Sequence, residues 1–181
     1  MRLRQKQLYL GGRKLQVMNI VLIGMPASGK TTVAAALAKN LGLKVIDTDA
    51  LIVEKHGEIN KIFEKFGEEY FRNLESEAVK EATQNTGAVI STGGGCPLRK
   101  ENVLNLKKSG KIIFLRTTVS ELIRRTEGDG TRPLLKGERE ERLKGLLAVR
   151  TSIYEEAADF TVDTDGLTPE EIAKKITEFI K

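Results

Sequence analysis

The run Gly24-Met25-Pro26-Ala27-Ser28-Gly29-Lys30-Thr31 constrains this chain more than any other stretch. It satisfies G-x-x-x-x-G-K-S/T, the pattern of a phosphate-binding loop. Its surroundings suit the pattern. Asn19-Ile20-Val21-Leu22-Ile23 before it is an apolar run of strand type, and Thr32 to Leu41 after it reads as a helix rich in Ala and Leu. Gly24 and Gly29 let the backbone turn tightly and bring N–H groups close to phosphate oxygens. The first turn of a helix leaves its N–H groups unpaired, and its positive dipole end favours an anion. Lys30 adds a point charge for the outer phosphates, and the Thr31 hydroxyl suits Mg²⁺. A chance glycine turn before a helix is the competing reading; strand and helix in the required order argue against it.

Short apolar runs recur along the chain at Ile20–Ile23, Val45–Ile46, Ala88–Ser91, Ile112–Leu115 and Phe160–Val162, with helical stretches between them. Such alternation predicts an α/β fold, a parallel sheet covered on both faces. Ligands of these sheets sit at the carboxyl ends of the strands. Two helix starts carry capping boxes, Thr168-Pro169-Glu170-Glu171 and Thr118-Val119-Ser120-Glu121. Thr126 to Gly137 breaks the alternation. It is rich in glycine and charge, and it predicts a mobile lid in which Arg132 can swing onto phosphate. An ordinary surface loop is the alternative.

The chain has 181 residues, which predicts a single domain. No stretch has the apolar length of a membrane span. The single cysteine, Cys96, excludes an internal disulfide and fits a reducing, cytoplasmic setting. A formal net charge of +5 hints at nucleic acid, but its placement does not. Arg2, Arg4, Lys6, Arg13 and Lys14 stand in residues 1–17 without an acid, and the body that follows carries as many acids as bases. A basic N-terminal extension, residues 1–17, is therefore expected to lie outside a single domain at 18–181. A start upstream of Met18, a cloning addition, a short extra strand or a loose arm would each account for it. A targeting peptide would need an apolar stretch or a Ser enrichment that the segment lacks. No nucleic-acid partner and no membrane partner are expected.

Three further groups carry candidate chemistry. Asp47-Thr48-Asp49 follows the second strand. Asp47 can support Mg²⁺ through water, and Asp49 can take a proton from an attacking hydroxyl. Both also suit a helix cap. Gly93-Gly94-Gly95 follows the third strand and exposes backbone to a small polar ligand, or forms a flexible turn. Arg72 and Arg150 lie on predicted helices, as surface ion-pair partners or as a clamp on a substrate carboxylate. Cys96 reads as a packed small residue. His56, the only histidine, falls at a helix end and takes no catalytic part.

In order, the phosphate loop, D-T-D, F-R-x-x-E, G-G-G, R-R-T, R-P-L-L and R-x-x-x-Y resemble the shikimate kinases, small members of the nucleoside monophosphate kinase-like group. The resemblance runs from about Met18 to the C-terminus. It implies a P-loop three-layer sandwich, a five-stranded parallel sheet of order 2-3-1-4-5 flanked by helices, with a mobile lid at about 126–137 of a kinase domain. It implies ATP and Mg²⁺ as cofactors, shikimate as substrate, and transfer of a phosphoryl group to the shikimate 3-hydroxyl; a monomer is expected. By the same resemblance Ala27, Ser28, Gly29, Lys30, Thr31 and Thr32 cradle the ATP phosphates, and Thr31 ligates the metal with Asp47 behind it. Asp49, Arg72, Gly94, Gly95 and Arg150 take shikimate, with both arginines on its carboxylate. Arg125 lies near adenine, Arg132 reaches ATP from the lid, and Val162 to Pro169 resembles the adenine loop. Lys30, Asp49 and Arg132 are the catalytic residues implied. Ala27 stands where the family often has glycine; it is tolerable there if its φ stays negative. A kinase of another polyol acid such as gluconate, a nucleotide kinase, and a nucleotide-dependent switch are the alternatives. Two arginines suit one carboxylate better than a second nucleotide phosphate. A switch leaves Asp49, Arg72 and Arg150 without a joint task.

Overall fold

Five consecutive buried residues, Asn19–Ile23, form the central strand β3, and everything else is arranged around it. The computed structural model describes residues 9–10, 13–14, 18–126 and 136–181. Two short strands precede β3: β1 (Tyr9–Leu10) and β2 (Arg13–Lys14) pair antiparallel with each other, in a sheet separate from the main one. The main sheet adds β4 (Lys44–Asp47), β5 (Ala88–Ser91), β6 (Gly110–Arg116) and β7 (Phe160–Asp163). Its order is β4-β5-β3-β6-β7 with every pair parallel, which is 2-3-1-4-5 counted over these five strands. All five predicted strands are present, most of them a residue or two longer than the apolar run.

Side chains of β3 alternate between two cores, as a pleated strand requires. Ile20 and Leu22 pack with Val33 and Leu37 of α1 (Lys30–Leu41) and with Ile172 and Ile176 of α7 (Pro169–Phe179). Val21 and Ile23 face the other side. They pack with Val79 of α3 (Ile59–Thr83), Leu106 of α4 (Lys100–Ser109) and Tyr154 of α6 (Lys136–Ala157). Burial of each large aliphatic chain contributes about 1.5–3 kcal/mol. A third cluster, Ile52, Ile62, Phe71, Leu74 and Ala78, joins α2 (Thr48–His56) to α3. That cluster fixes the helix bearing Arg72. Gly67, at φ 81°, bends α3 just before that segment.

The two capping boxes fare differently. At α7 the Thr168 hydroxyl accepts from the Glu171 N–H, and the Glu171 carboxylate accepts from the Thr168 N–H. At α5 (Val119–Thr126) only the first half forms. Asp165 accepts the Thr118 N–H instead, and the Glu121 carboxylate accepts from Arg124 and Arg125. Three residues of the segment expected as a lid are helical. Thr126 closes α5, and Lys136 and Gly137 open α6. Arg132 and the rest of the expected lid lie outside the described residues.

Candidate active site

Gly24 turns the chain out of β3 at φ 150°, and Gly29 enters α1 as its N-cap at φ 92°. A side chain on Gly24 would meet the Leu115 carbonyl oxygen at 2.8 Å. The turn is closed by the Ser28 N–H donating to the Met25 carbonyl at 3.1 Å. No side chain caps α1, and no acid stands in its first turn. The N–H groups of Lys30, Thr31 and Thr32 thus begin a helix with no acidic competitor for an anion. Ala27 does not keep a negative φ. It sits at 64°, in the left-handed region, because the loop must reverse there to carry its N–H groups around one point.

Lys30 is only 8 % exposed. Its Nζ donates to the Gly24 carbonyl at 2.9 Å and to the Met25 carbonyl at 2.7 Å. Burial lowers its pKa to about 8, against the pull of Asp49 and Asp47. A buried ammonium held only by carbonyls and two neighbouring carboxylates fits a site built for further negative charge. The Ser28 hydroxyl is buried at the same turn, without a hydrogen-bond partner among the described residues.

Asp47 caps α2, as its sequence allows, and also reaches the phosphate loop. One carboxylate oxygen caps α2, accepting from the Asp49 and Ala50 N–H groups at 3.0 and 3.2 Å. The other accepts the Thr31 hydroxyl at 3.0 Å. Thr31 and Asp47 therefore present a hydroxyl and a carboxylate side by side, the hard oxygen donors that Mg²⁺ takes. Thr48 is fully buried, and its hydroxyl accepts the Gly93 N–H at 3.1 Å. That bond binds the end of β4 to the glycine loop after β5.

Asp49 points toward the same loop. Its Oδ1 is buried and unpartnered, and a side chain on Gly93 would strike it at 2.6 Å. Burial raises the Asp49 pKa, Asp47 adds to the rise, and Lys30 and Arg72 oppose it. A carboxylate so placed is a better proton acceptor than one in water. Arg72 lies across Gly95, where a side chain would meet its guanidinium at 2.1 Å. It donates to Glu75 at 2.8 Å and to Glu68 at 2.9 Å. Burial alone would lower its pKa, but Glu75 and Glu68 outweigh that and raise it.

Arg150 and Tyr154 reach the site from α6. The Tyr154 hydroxyl donates to the Gly94 carbonyl, and Arg150 stands against the same hydroxyl. Arg125 crosses from α5. It donates to the Ser28 carbonyl at 2.8 Å, the Thr164 carbonyl at 3.0 Å and the Glu121 carboxylate at 2.8 Å. It thereby links the phosphate loop to the segment after β7. Thr32 is exposed at the open end of α1. Cys96 is fully buried, and burial pushes its thiol up, so it serves packing. His56 closes α2 away from this cluster, beside Lys55 and Glu81.

Glu75 was missed by sequence reasoning. Only 1 % exposed, it pairs Arg72 through Oε2 and leaves Oε1 unpartnered. Burial raises its pKa against the pull of Arg72. Glu75 is the Glu of F-R-x-x-E, a motif of the resemblance, but its spacing to Arg72 also describes a surface ion pair and gave it no role of its own.

The family model described as shikimate kinase matches residues 26–181. A shikimate kinase of Thermodesulfovibrio yellowstonii is 49 % identical over 160 residues, 87 % of this chain and 92 % of the relative. One of Actinobacillus pleuropneumoniae is 45 % identical over 164 residues, 90 % and 95 % of the two chains. The solved structure of shikimate kinase from Acinetobacter baumannii in complex with shikimate superposes with a TM-score of 0.84 at 38 % identity. It covers 91 % of this chain and 93 % of that one.

Proposed function

We propose, from the premise that the chain belongs to the shikimate kinase family, that the cluster described above is its catalytic site. The protein is an ATP-dependent kinase that phosphorylates shikimate. The phosphate loop takes the ATP phosphates on its N–H groups and Lys30. Asp49, Arg72, Gly94, Gly95 and Arg150 take shikimate, with the two guanidiniums on its carboxylate. Thr31 and Asp47 would hold Mg²⁺, which when bound neutralises charge on the phosphate oxygens. Arg132, outside the described residues, is assigned the remaining charge stabilisation.

The proton balance is direct. Asp49 accepts the proton of the 3-hydroxyl, whose oxygen bonds to the γ-phosphorus as the bridge to the β-phosphate breaks. ADP and shikimate 3-phosphate leave. Lys30, released from the Gly24 and Met25 carbonyls, follows the moving charge. The observation that supports this reading best is the meeting of Asp49 and Arg72 on one glycine loop. Gly94, in that loop, lies so close to Pro26 of the phosphate loop that a side chain would strike the ring at 2.7 Å. Acceptor and donor sites thus share a wall.

An ADP-release assay with Mg-ATP tests the reading, run with shikimate, with gluconate, with a nucleoside monophosphate and with no acceptor. Release dependent on shikimate is expected. Release driven by another acceptor, or independent of any, would refute the assignment of the acceptor site.

A further inference from the structure

Tyr154 is a fully buried tyrosine whose ring packs on Phe114 with centroids 5.0 Å apart. Packing alone would be served as well by phenylalanine. Its hydroxyl, however, meets three parts of the site. It donates to the Gly94 carbonyl at 2.5 Å, lies 3.9 Å from the Met25 sulfur in the phosphate loop, and faces Arg150 one turn back on α6. The peptide that carries the Gly94 carbonyl also carries the Gly95 N–H. That peptide is trans, so the two dipoles point to opposite sides. With the carbonyl held inward on Tyr154, the N–H is turned away from the core. The Gly95 N–H has no acceptor among the described residues, and Gly95 is the residue over which the Arg72 guanidinium lies.

We infer that Tyr154 is a positioning residue for the acceptor's anionic end: by holding the Gly94 carbonyl it aims the Gly95 N–H into the cleft beside Arg72. A glycine pair has no side chain to fix its peptide plane, so an outside anchor is needed. The inference rests on the acceptor site proposed above.

The test compares the wild type with Y154F and F114L in the shikimate-dependent assay, with melting temperatures measured in parallel. Y154F removes the hydroxyl and keeps the ring. F114L disturbs the ring packing and keeps the hydroxyl. The KM for shikimate is expected to rise about tenfold in Y154F, the scale of one lost orienting hydrogen bond. The KM for ATP should stay within about twofold, and F114L should lower the melting temperature with the KM for shikimate unchanged. An unchanged shikimate KM in Y154F would overturn the inference. So would an equal rise in both KM values, or the same rise in F114L, since either marks general loosening. If Y154F does not fold, the wild type labelled with 3-fluorotyrosine carries the test, because the chain has only three tyrosines. The ¹⁹F resonance of Tyr154 should move on adding shikimate, and its failure to move would overturn the inference. A wild type that turns over without shikimate dependence would instead remove the acceptor site itself.

Discussion

Ala27 holds a backbone angle that its Cβ disfavours, with φ at 64°. The left-handed region costs an L-residue about 1–2 kcal/mol, and glycine nothing in sterics. Glycine loses more chain entropy on folding, which cancels part of the gain. Ala27→Gly is therefore expected to stabilise the protein by about 1 kcal/mol, seen as a melting temperature about 2–4 °C higher. Turnover should hold, because the loop works through its N–H groups. A lower melting temperature would show that the entropy term wins. Lys30 supplies a second prediction. Its pKa in the folded protein is about 8, against 10.5 when unperturbed. Between those values the unfolded chain binds the proton and the folded one does not, so stability rises as pH rises through that window. A bound phosphate favours the charged form. ATP binding above pH 8 must then return a proton to Lys30, and affinity should fall by up to about tenfold per pH unit. Calorimetry at pH 9 in two buffers of different ionisation enthalpy reads the proton uptake directly. Equal heats in both buffers would contradict the burial argument.

At the scale of elements, the proposed acceptor site draws on the ends of β4 and β5 and on α3 and α6, and the glycine loop after β5 is where they meet. A side chain on Gly95 would press on the Arg72 guanidinium at 2.1 Å. Arg72 cannot yield freely, since Glu75 behind it is buried and holds it at 2.8 Å. Gly95→Ala is expected to displace the guanidinium and raise the KM for shikimate at least about tenfold, the cost of one charge-assisted contact. The KM for ATP should change less, because Lys30 and the α1 N–H groups are untouched. Kinetics at saturating levels of the second substrate separate the two, and a shift confined to ATP would move Arg72 out of the acceptor site. Local elements of this kind were legible where the signal was local. The α7 capping box was readable because Thr168 and Glu171 satisfy each other. The α5 box was not, because Asp165 comes in from a distant turn and takes the Thr118 N–H.

For the molecule as a whole, short apolar runs alternating with helical stretches made the covered parallel sheet readable, and the continuous run Ile20–Ile23 is the strand buried between two cores. The turn of the phosphate loop and the Asp47 cap were readable because each is made through backbone or neighbours close in sequence. Glu75 and Tyr154 stood in the motifs F-R-x-x-E and R-x-x-x-Y, but their contacts were not readable, because burial places an ordinary helical glutamate and a core aromatic beside Arg72 and Gly94, and burial is decided by tertiary packing. The positive φ of Ala27 was not legible, because the loop's closure, rather than the residue's own preference, sets it. Charge is the remaining whole-molecule property. The excess of bases over acids lies entirely in residues 1–17, and β1 and β2 pair with each other rather than with the main sheet. We propose that this segment stands apart from the kinase domain. Deletion of residues 1–17 should leave kcat and both KM values within about twofold and the melting temperature within about 2 °C, the range of surface changes. Retention on a heparin column should fall, because the formal charge drops from +5 to about zero. A truncated protein that melts well below the full chain, or that loses turnover, would make the hairpin part of the catalytic unit.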